Sequence, residues 1–227
     1  AFALLALIAF AVCARVDPAA ILKLGKPAVL VSLGLLVVVL VPGIGLQANG
    51  ARSWLGAGQL QMQPSELAKL AIIIWLAGYL ARNVDRLDTW EGLKQPLLLL
   101  GAVVVLLMLE PDLGTTLVLL STVFLMLVLA GVPGRILGVM LVGVGALTAL
   151  AIVVAPYRMA RLTSFLNPWA DPEGKGFQVA QAQLALGSGG VSGVGLGNGL
   201  QKVNYLPEAH TDMIMATIGE ELGLVGV

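Results

Sequence analysis

LGTTLVLLSTVFLMLVLAGVPGRILGVMLVGVGALTALAIVVA, residues 113 to 155, carries one charged side chain, Arg135. Read as helix, the 18 residues from Leu113 to Ala130 rise ~27 Å, close to a ~30 Å hydrocarbon core. Arg135 then marks a connection, and residues 136 to 155 form a second charge-free stretch. Two adjacent spans joined by a short basic turn make this a polytopic membrane protein.

The rest of the chain agrees. Of 227 residues, 58% are apolar and 11% charged, against about 45–50% and 25% in ordinary soluble domains. Mean hydropathy is +0.95. Thirteen basic and thirteen acidic residues cancel, so there is no basic stripe for nucleic acid and no acidic tail. The lone Cys13 excludes an internal disulfide and reads as a small hydrophobe.

Seven spans are expected, over 1–14, 28–46, 64–81, 93–109, 113–130, 136–155 and 212–227, in an all-α transmembrane bundle forming a single domain. The first stretch has no basic run before it and Arg15 where a cleavage site would need small residues, which argues against a signal peptide. Starting inside an apolar run without methionine, the chain is expected to be a fragment of a longer protein. Arg15, Lys23, Lys26, Arg82, Arg86, Lys94 and Arg135 fall on one side, which the positive-inside bias makes cytoplasmic. The opposite side then holds residues 47–63, the Glu110–Asp112 turn and a large loop, 156–211.

That loop contains GSGGVSGVGLGNG, residues 187 to 199, with seven glycines. It has neither a dinucleotide nor a P-loop spacing, so it reads as a close-packed loop near the membrane rather than a phosphate cradle. Glu66 and Lys69, three apart, share a helix face and read either as an ordinary ion pair or as an inward-facing charged site. Glu110 and Asp112 flank Pro111, with Asp112 placed to cap the next helix. His210 and Asp212 lie where the loop re-enters a span. Thr211 or Asp212 could cap that helix, or Asp212 could act as a general base or hold a divalent cation. Glu220 and Glu221 lie deeper, as functional acids or as partners in inter-helix hydrogen bonds. No serine or cysteine elbow accompanies His210, and one histidine with one distant cysteine makes no zinc site.

Six strings together carry a resemblance: NGARSWL (49–55), QPSELAKL (63–70), EPDLGTT (110–116), RLTSFLNPWADPEGKGFQ (161–178), ALGSGGVSGVGLGNGLQK (185–202) and LPEAHTDMIMATIGEELGLVG (206–226). In this order they resemble the SEDS family of bacterial peptidoglycan glycosyltransferases. NPWADPEG and PEAHTD look more like its division-type members than its elongation-type members, which typically have arginine where Ala209 stands. The resemblance implies a bundle of about ten spans in the bacterial cytoplasmic membrane, at the division septum, polymerising lipid II into glycan on the outer face. It also implies a divalent cation, Mg²⁺ or Mn²⁺, and a class B penicillin-binding transpeptidase among other divisome partners. The family's essential acid falls on Asp212, its cavity pair on Glu66 and Lys69, and its first-loop tryptophan on Trp54. Met213 and Met215 stand in place of the usual phenylalanines, and Phe177 in place of a tyrosine.

On this reading Asp212 deprotonates or orients a sugar hydroxyl, directly or through the cation. Lys69, with Arg52, Arg158, Arg161 or Lys202, offsets pyrophosphate charge, Glu66 holds Lys69, and His210 lies at the substrate. Two other classes compete: a flippase or transporter for a lipid-linked precursor, and a non-catalytic divisome scaffold. Alternating access favours midplane charges in paired halves, whereas these charges gather at the outer ends of the spans.

Overall fold

Asp17 and Pro18 start the first long helix ten residues before the charge-free stretch does. In the computed structural model, which describes residues 2–48, 51–57, 60–203, 205–207 and 209–227, helix α1 spans Phe2–Cys13 and α2 spans Pro18–Leu40. The Asp17 carboxylate accepts the Ala19 N–H at 3.0 Å, and Pro18 occupies a first-turn position where no N–H is needed. Lys23 and Lys26 therefore lie inside α2, and the span expected over 28–46 is displaced toward the N-terminus. Pro42 and Gly43, at φ 92°, then turn the chain out of helix.

Residues expected only as a connection form a sheet. Strands β1 (Leu46–Ala48), β2 (Ala51–Ala57) and β3 (Leu60–Met62) make an antiparallel meander, with Leu46 opposite Trp54 and Leu55 opposite Met62. Asn49 and Gly50 of the NGARSWL string lie outside the described residues. Helix α3 (Pro64–Arg82) follows, then α4 (Trp90–Leu109), α5 (Leu113–Leu129) and α6 (Gly134–Val154). The Thr89 hydroxyl accepts the Gly92 N–H and the Asp112 carboxylate accepts the Thr115 N–H at 2.9 Å, so both caps are made by side chains.

The chain forms two compact units, residues 1–144 and 145–227, where a single domain was expected. In the first, α3 is central. Ala68, Ile72, Trp75 and Leu76 pack among Val29 and Leu36 of α2, Leu93, Leu100, Val103 and Leu107 of α4, and Leu119, Val123 and Leu127 of α5. The spacing of three and four along α5 gives one inward stripe, and Leu125 and Leu129 on the other side stay exposed, as lipid-facing residues do. Tyr79 ties α3 to α4, its hydroxyl donating to the Gly92 carbonyl at 2.7 Å. Four helices, α2, α3, α4 and α6, are long and apolar enough to cross a membrane among the described residues, and α5 is a shorter apolar helix. This is a polytopic helical membrane protein.

In the second unit the expected loop 156–211 is helical over about half of its length. It contains α7 (Pro156–Leu166), a 3₁₀ turn at Pro168–Ala170 and α8 (Phe177–Gly189). The span expected over 212–227 is the short helix α9 (Ile214–Leu222), ended by Gly223 at φ 66° and a 3₁₀ turn. Helices α8 and α9 meet through small residues, Ala182, Ala185, Gly189, Ala216 and Gly219. At Gly189 the backbones approach directly, and the Leu186 side chain lies against Gly219.

Candidate functional site

Two groups of polar residues emerge, one in each unit. In the first, Pro64 starts α3 so that Glu66 lies in its first turn and Lys69 one turn on. Lys69 Nζ meets Glu66 Oε1 at 2.8 Å, with the lysine side chain 22% exposed and the glutamate 58%. The pair expected from the three-residue spacing forms, and it orients the ammonium. Beside it, the Gln63 side-chain amide donates to Asp112 Oδ2 at 3.2 Å, joining the start of α3 to the cap of α5. Asp112 therefore does structural work at both oxygens.

Glu110 was read only as part of a helix-end turn, and the structure buries it completely, with no hydrogen-bond partner at either carboxylate oxygen among the described residues. Burial, and secondly the neighbouring Asp112 charge, push its carboxyl up to about 7. The signal was present in the sequence. Leu100, Val103, Leu107 and Glu110 recur at helical spacing, so Glu110 extends the inward stripe of α4 past its last apolar residue.

Arg52 and Trp54 lie on β2, both half-buried, with the Arg52 stem against Gly45 and Trp54 across from Leu46. The Arg52 side chain makes no hydrogen bond or ion pair among the described residues.

In the second unit, His210 and Asp212 are exposed in the turn before α9. The N-cap position is Met213, without a side-chain hydrogen bond, so neither Thr211 nor Asp212 serves as the cap. Asp212 makes no hydrogen bond or ion pair among the described residues and is left open to solvent. Glu208 of the same string lies outside the described residues. Among the basic candidates, Arg161 is exposed on α7 without a partner, whereas Arg158 donates to the Ala151 carbonyl at 3.0 Å and lies over the Tyr157 ring. Lys202 is engaged in an ion pair with Glu221.

The glycine run is closely packed at Gly189, Gly193 and Gly199, whereas Gly187, Gly190 and Gly197 are exposed with open space beside them. Its N–H groups cap α9: Val194 donates to the Glu220 carbonyl at 2.9 Å and Gly195 to that of Glu221 at 3.0 Å. Gly193, at φ 78°, lies where a Cβ would overlap the Glu221 carbonyl oxygen. The same N–H groups are thereby unavailable to a phosphate. Glu220, 2% exposed, turns its carboxylate to the Leu200 and Gln201 N–H groups. Of the two readings open for these acids, hydrogen bonding inside the protein is the one observed.

Of the candidate residues in the second unit, Asp212 offers an exposed carboxylate and Arg161 an exposed guanidinium, neither with a side-chain partner among the described residues. No cluster of three or more His, Cys, Asp or Glu side chains suited to a metal occurs among the described residues. A divalent cation here would draw one ligand from Asp212 and the others from phosphate oxygens, a mode common for Mg²⁺.

The chain is 50% identical over 207 residues to a probable peptidoglycan glycosyltransferase FtsW of Legionella pneumophila, covering 90% of this chain and 52% of that protein. It is 44% identical over 227 residues to the protein of the same name from Aliivibrio salmonicida, covering 100% and 56%. The chain thus spans about half the length of the curated relatives it matches. Among solved structures it resembles one described as "Structural coordination of polymerization and crosslinking by a peptidoglycan synthase complex", at TM-score 0.73 and 35% identity over 97% of this chain and 60% of that one. It also resembles the rod shape determining protein RodA of Thermus thermophilus, at TM-score 0.57 and 33% identity over 90% and 50%. A family model, FTSW_RODA_SPOVE, cell cycle protein, matches residues 1–227. With its helices, its six strings and its relatives in agreement, the chain belongs to the FtsW/RodA/SpoVE family of cell cycle proteins, the SEDS proteins.

Proposed function

We propose that the full-length protein to which this chain belongs is a peptidoglycan glycosyltransferase of the bacterial cytoplasmic membrane, polymerising lipid II on the outer face during septal wall synthesis. The observation that carries this reading is Asp212, an exposed carboxylate with no structural commitment, in a chain whose relatives are named probable peptidoglycan glycosyltransferases. The two acids of α9 are otherwise engaged, Glu220 by backbone N–H groups and Glu221 by Lys202.

In the reaction, a sugar hydroxyl oxygen bonds to the anomeric carbon of a second lipid-linked sugar. The bond from that carbon to the pyrophosphate oxygen breaks, and lipid pyrophosphate leaves with the electron pair. Asp212 takes the hydroxyl proton, which raises the nucleophilicity of the attacking oxygen. Arg161 in the same unit, and Lys69 oriented by Glu66 in the other, are cations suited to phosphate oxygens. Mg²⁺ or Mn²⁺ held by Asp212 and pyrophosphate would offset negative charge on the leaving group. The partner is a class B penicillin-binding transpeptidase, in keeping with the polymerisation and crosslinking named for the similar complex.

The test is lipid II polymerisation by the purified full-length protein with and without divalent cation, comparing Asp212→Asn. The substitution keeps size and removes the base, so polymer is expected to vanish. Glycan of normal length and rate from the Asn variant overturns the assignment.

A further inference from the structure

Glu220 is a buried acid of the second unit that holds backbone rather than a cation. Its Oε1 accepts the Leu200 N–H at 2.9 Å, and its Oε2 accepts the Gln201 N–H at 3.2 Å. The adjacent Glu221 pairs with Lys202. These two acids fasten the start of a segment that runs on through His210 and Asp212 into α9. The segment is also tied within itself and at its far end. The Leu206 N–H donates to the Gln201 carbonyl at 2.8 Å, and the Thr217 hydroxyl of α9 donates to the Ala209 carbonyl at 3.1 Å. The ends of this segment are thus held together, Leu200 and Gln201 at Glu220 and Ala209 at Thr217, with Asp212 exposed between them in the chain.

We propose that Glu220 is a positioning residue for Asp212: its buried carboxylate fixes the backbone of Leu200 and Gln201, and through it the loop that presents Asp212 and His210 to substrate. The inference rests on the reading of Asp212 as the base. A carboxylate suits the task because its two oxygens each accept an N–H with charge assistance. Glutamine in its place offers one acceptor and turns an NH₂ group toward the second N–H. The single carbonyl then has to serve both N–H groups, Gln201 N already lying 3.3 Å from Oε1, and the NH₂ faces a donor where Oε2 accepted.

Gly199 provides an independent handle on the same contacts. It is buried, and a Cβ built there lies 3.0 Å from Glu220 Oε2 and 3.1 Å from Glu221 Oε1. That spacing is tighter than ordinary contact, so Gly199→Ala displaces the carboxylates from the other side without altering a charge. Because reacting groups misplaced by about 1 Å can lose ~10²-fold in rate, a loosened segment lowers turnover. Sites elsewhere that grip lipid II are unaffected.

The experiment uses the full-length protein in lipid nanodiscs with lipid II as substrate. Wild type is compared with Glu220→Gln, Gly199→Ala and Asp212→Asn by kcat, KM, and hydrogen–deuterium exchange of peptides covering residues 200 to 211. Glu220→Gln and Gly199→Ala are each expected to lower kcat by roughly tenfold to a hundredfold with KM within about threefold. Exchange at Leu200 and Gln201 should accelerate in both. Should Glu220→Gln not fold, Gly199→Ala carries the comparison. Wild-type exchange, or faster exchange with unchanged kcat, in the folded variants overturns the positioning role. Full polymerisation by Asp212→Asn instead overturns the underlying reading, and is distinguishable because it concerns a variant in which the Glu220 contacts are intact.

Discussion

Gly189 of α8 and Gly219 of α9 lie backbone to backbone, so that a methyl group on Gly189 would overlap the Gly219 carbonyl oxygen. Helix propensity alone favours alanine over glycine at position 189 by about 1 kcal/mol. Overlap with backbone reverses the sign, since a carbonyl cannot rotate away as a flexible side chain can. Gly189→Ala is expected to destabilise the protein by about 1–3 kcal/mol, read as a lower Tm of the full-length protein in micelles. An unchanged or higher Tm contradicts the close approach.

Glu110 makes stability depend on pH in a direction opposite to that of a salt-bridged acid. Its carboxyl is raised from 4.5 to about 7 by burial and, secondly, by the neighbouring Asp112 charge. Folded protein thus holds the proton over a range where unfolded chain has released it. The stabilisation is complete below about pH 4.5 and is lost as pH rises to and through about 7. Glu110→Gln is expected to flatten the pH dependence of Tm between pH 5 and 8 while leaving Tm near pH 5 close to wild type. A variant that keeps the wild-type slope removes Glu110 as its source.

The Glu66–Lys69 pair is too exposed to matter much for folding, and a pair of this kind contributes about 0–1 kcal/mol. Glu66→Gln should therefore leave Tm nearly unchanged. If the pair orients Lys69 toward phosphate, Glu66→Gln lowers lipid II polymerisation and Lys69→Met lowers it further. Normal polymerisation by both variants reduces the pair to surface electrostatics.

Tyr79 offers a calibration on α3, ~15 Å along the helix from Lys69. Tyr79→Phe removes only the bond to the Gly92 carbonyl, at a cost of about 1 kcal/mol. A Tm fall with unchanged polymerisation is the expected outcome.

Hydrophobic runs and charge bias made the membrane helices legible because each obeys a solvent constraint that acts along a single segment. Asp112 as a cap and Glu66 with Lys69 as a pair were legible for the same reason, being contacts within a turn or two. The helix α2 began early because a capping aspartate and a first-turn proline outweigh two lysines, whose stems can run along the helix toward water. Strands β1 to β3 were missed because their pairing joins residues with no shared periodicity long enough to see. The partners of Glu220 and Lys202 lie about twenty residues away in sequence, a distance at which neither spacing nor charge pattern points to a contact. Glu110 differs, since its place on the α4 stripe was visible and its chemical oddity hid it.

The glycine run has one more consequence, for the order in which the protein is made. The N–H groups of Val194, Gly195, Leu200 and Gln201 find their acceptors on Glu220 and Glu221, residues synthesised after them. At about 5–20 residues per second, those acceptors emerge one to several seconds later. During that interval those four N–H groups lack the acceptors they hold in the folded protein, so this part of the loop closes only once α9 has been made.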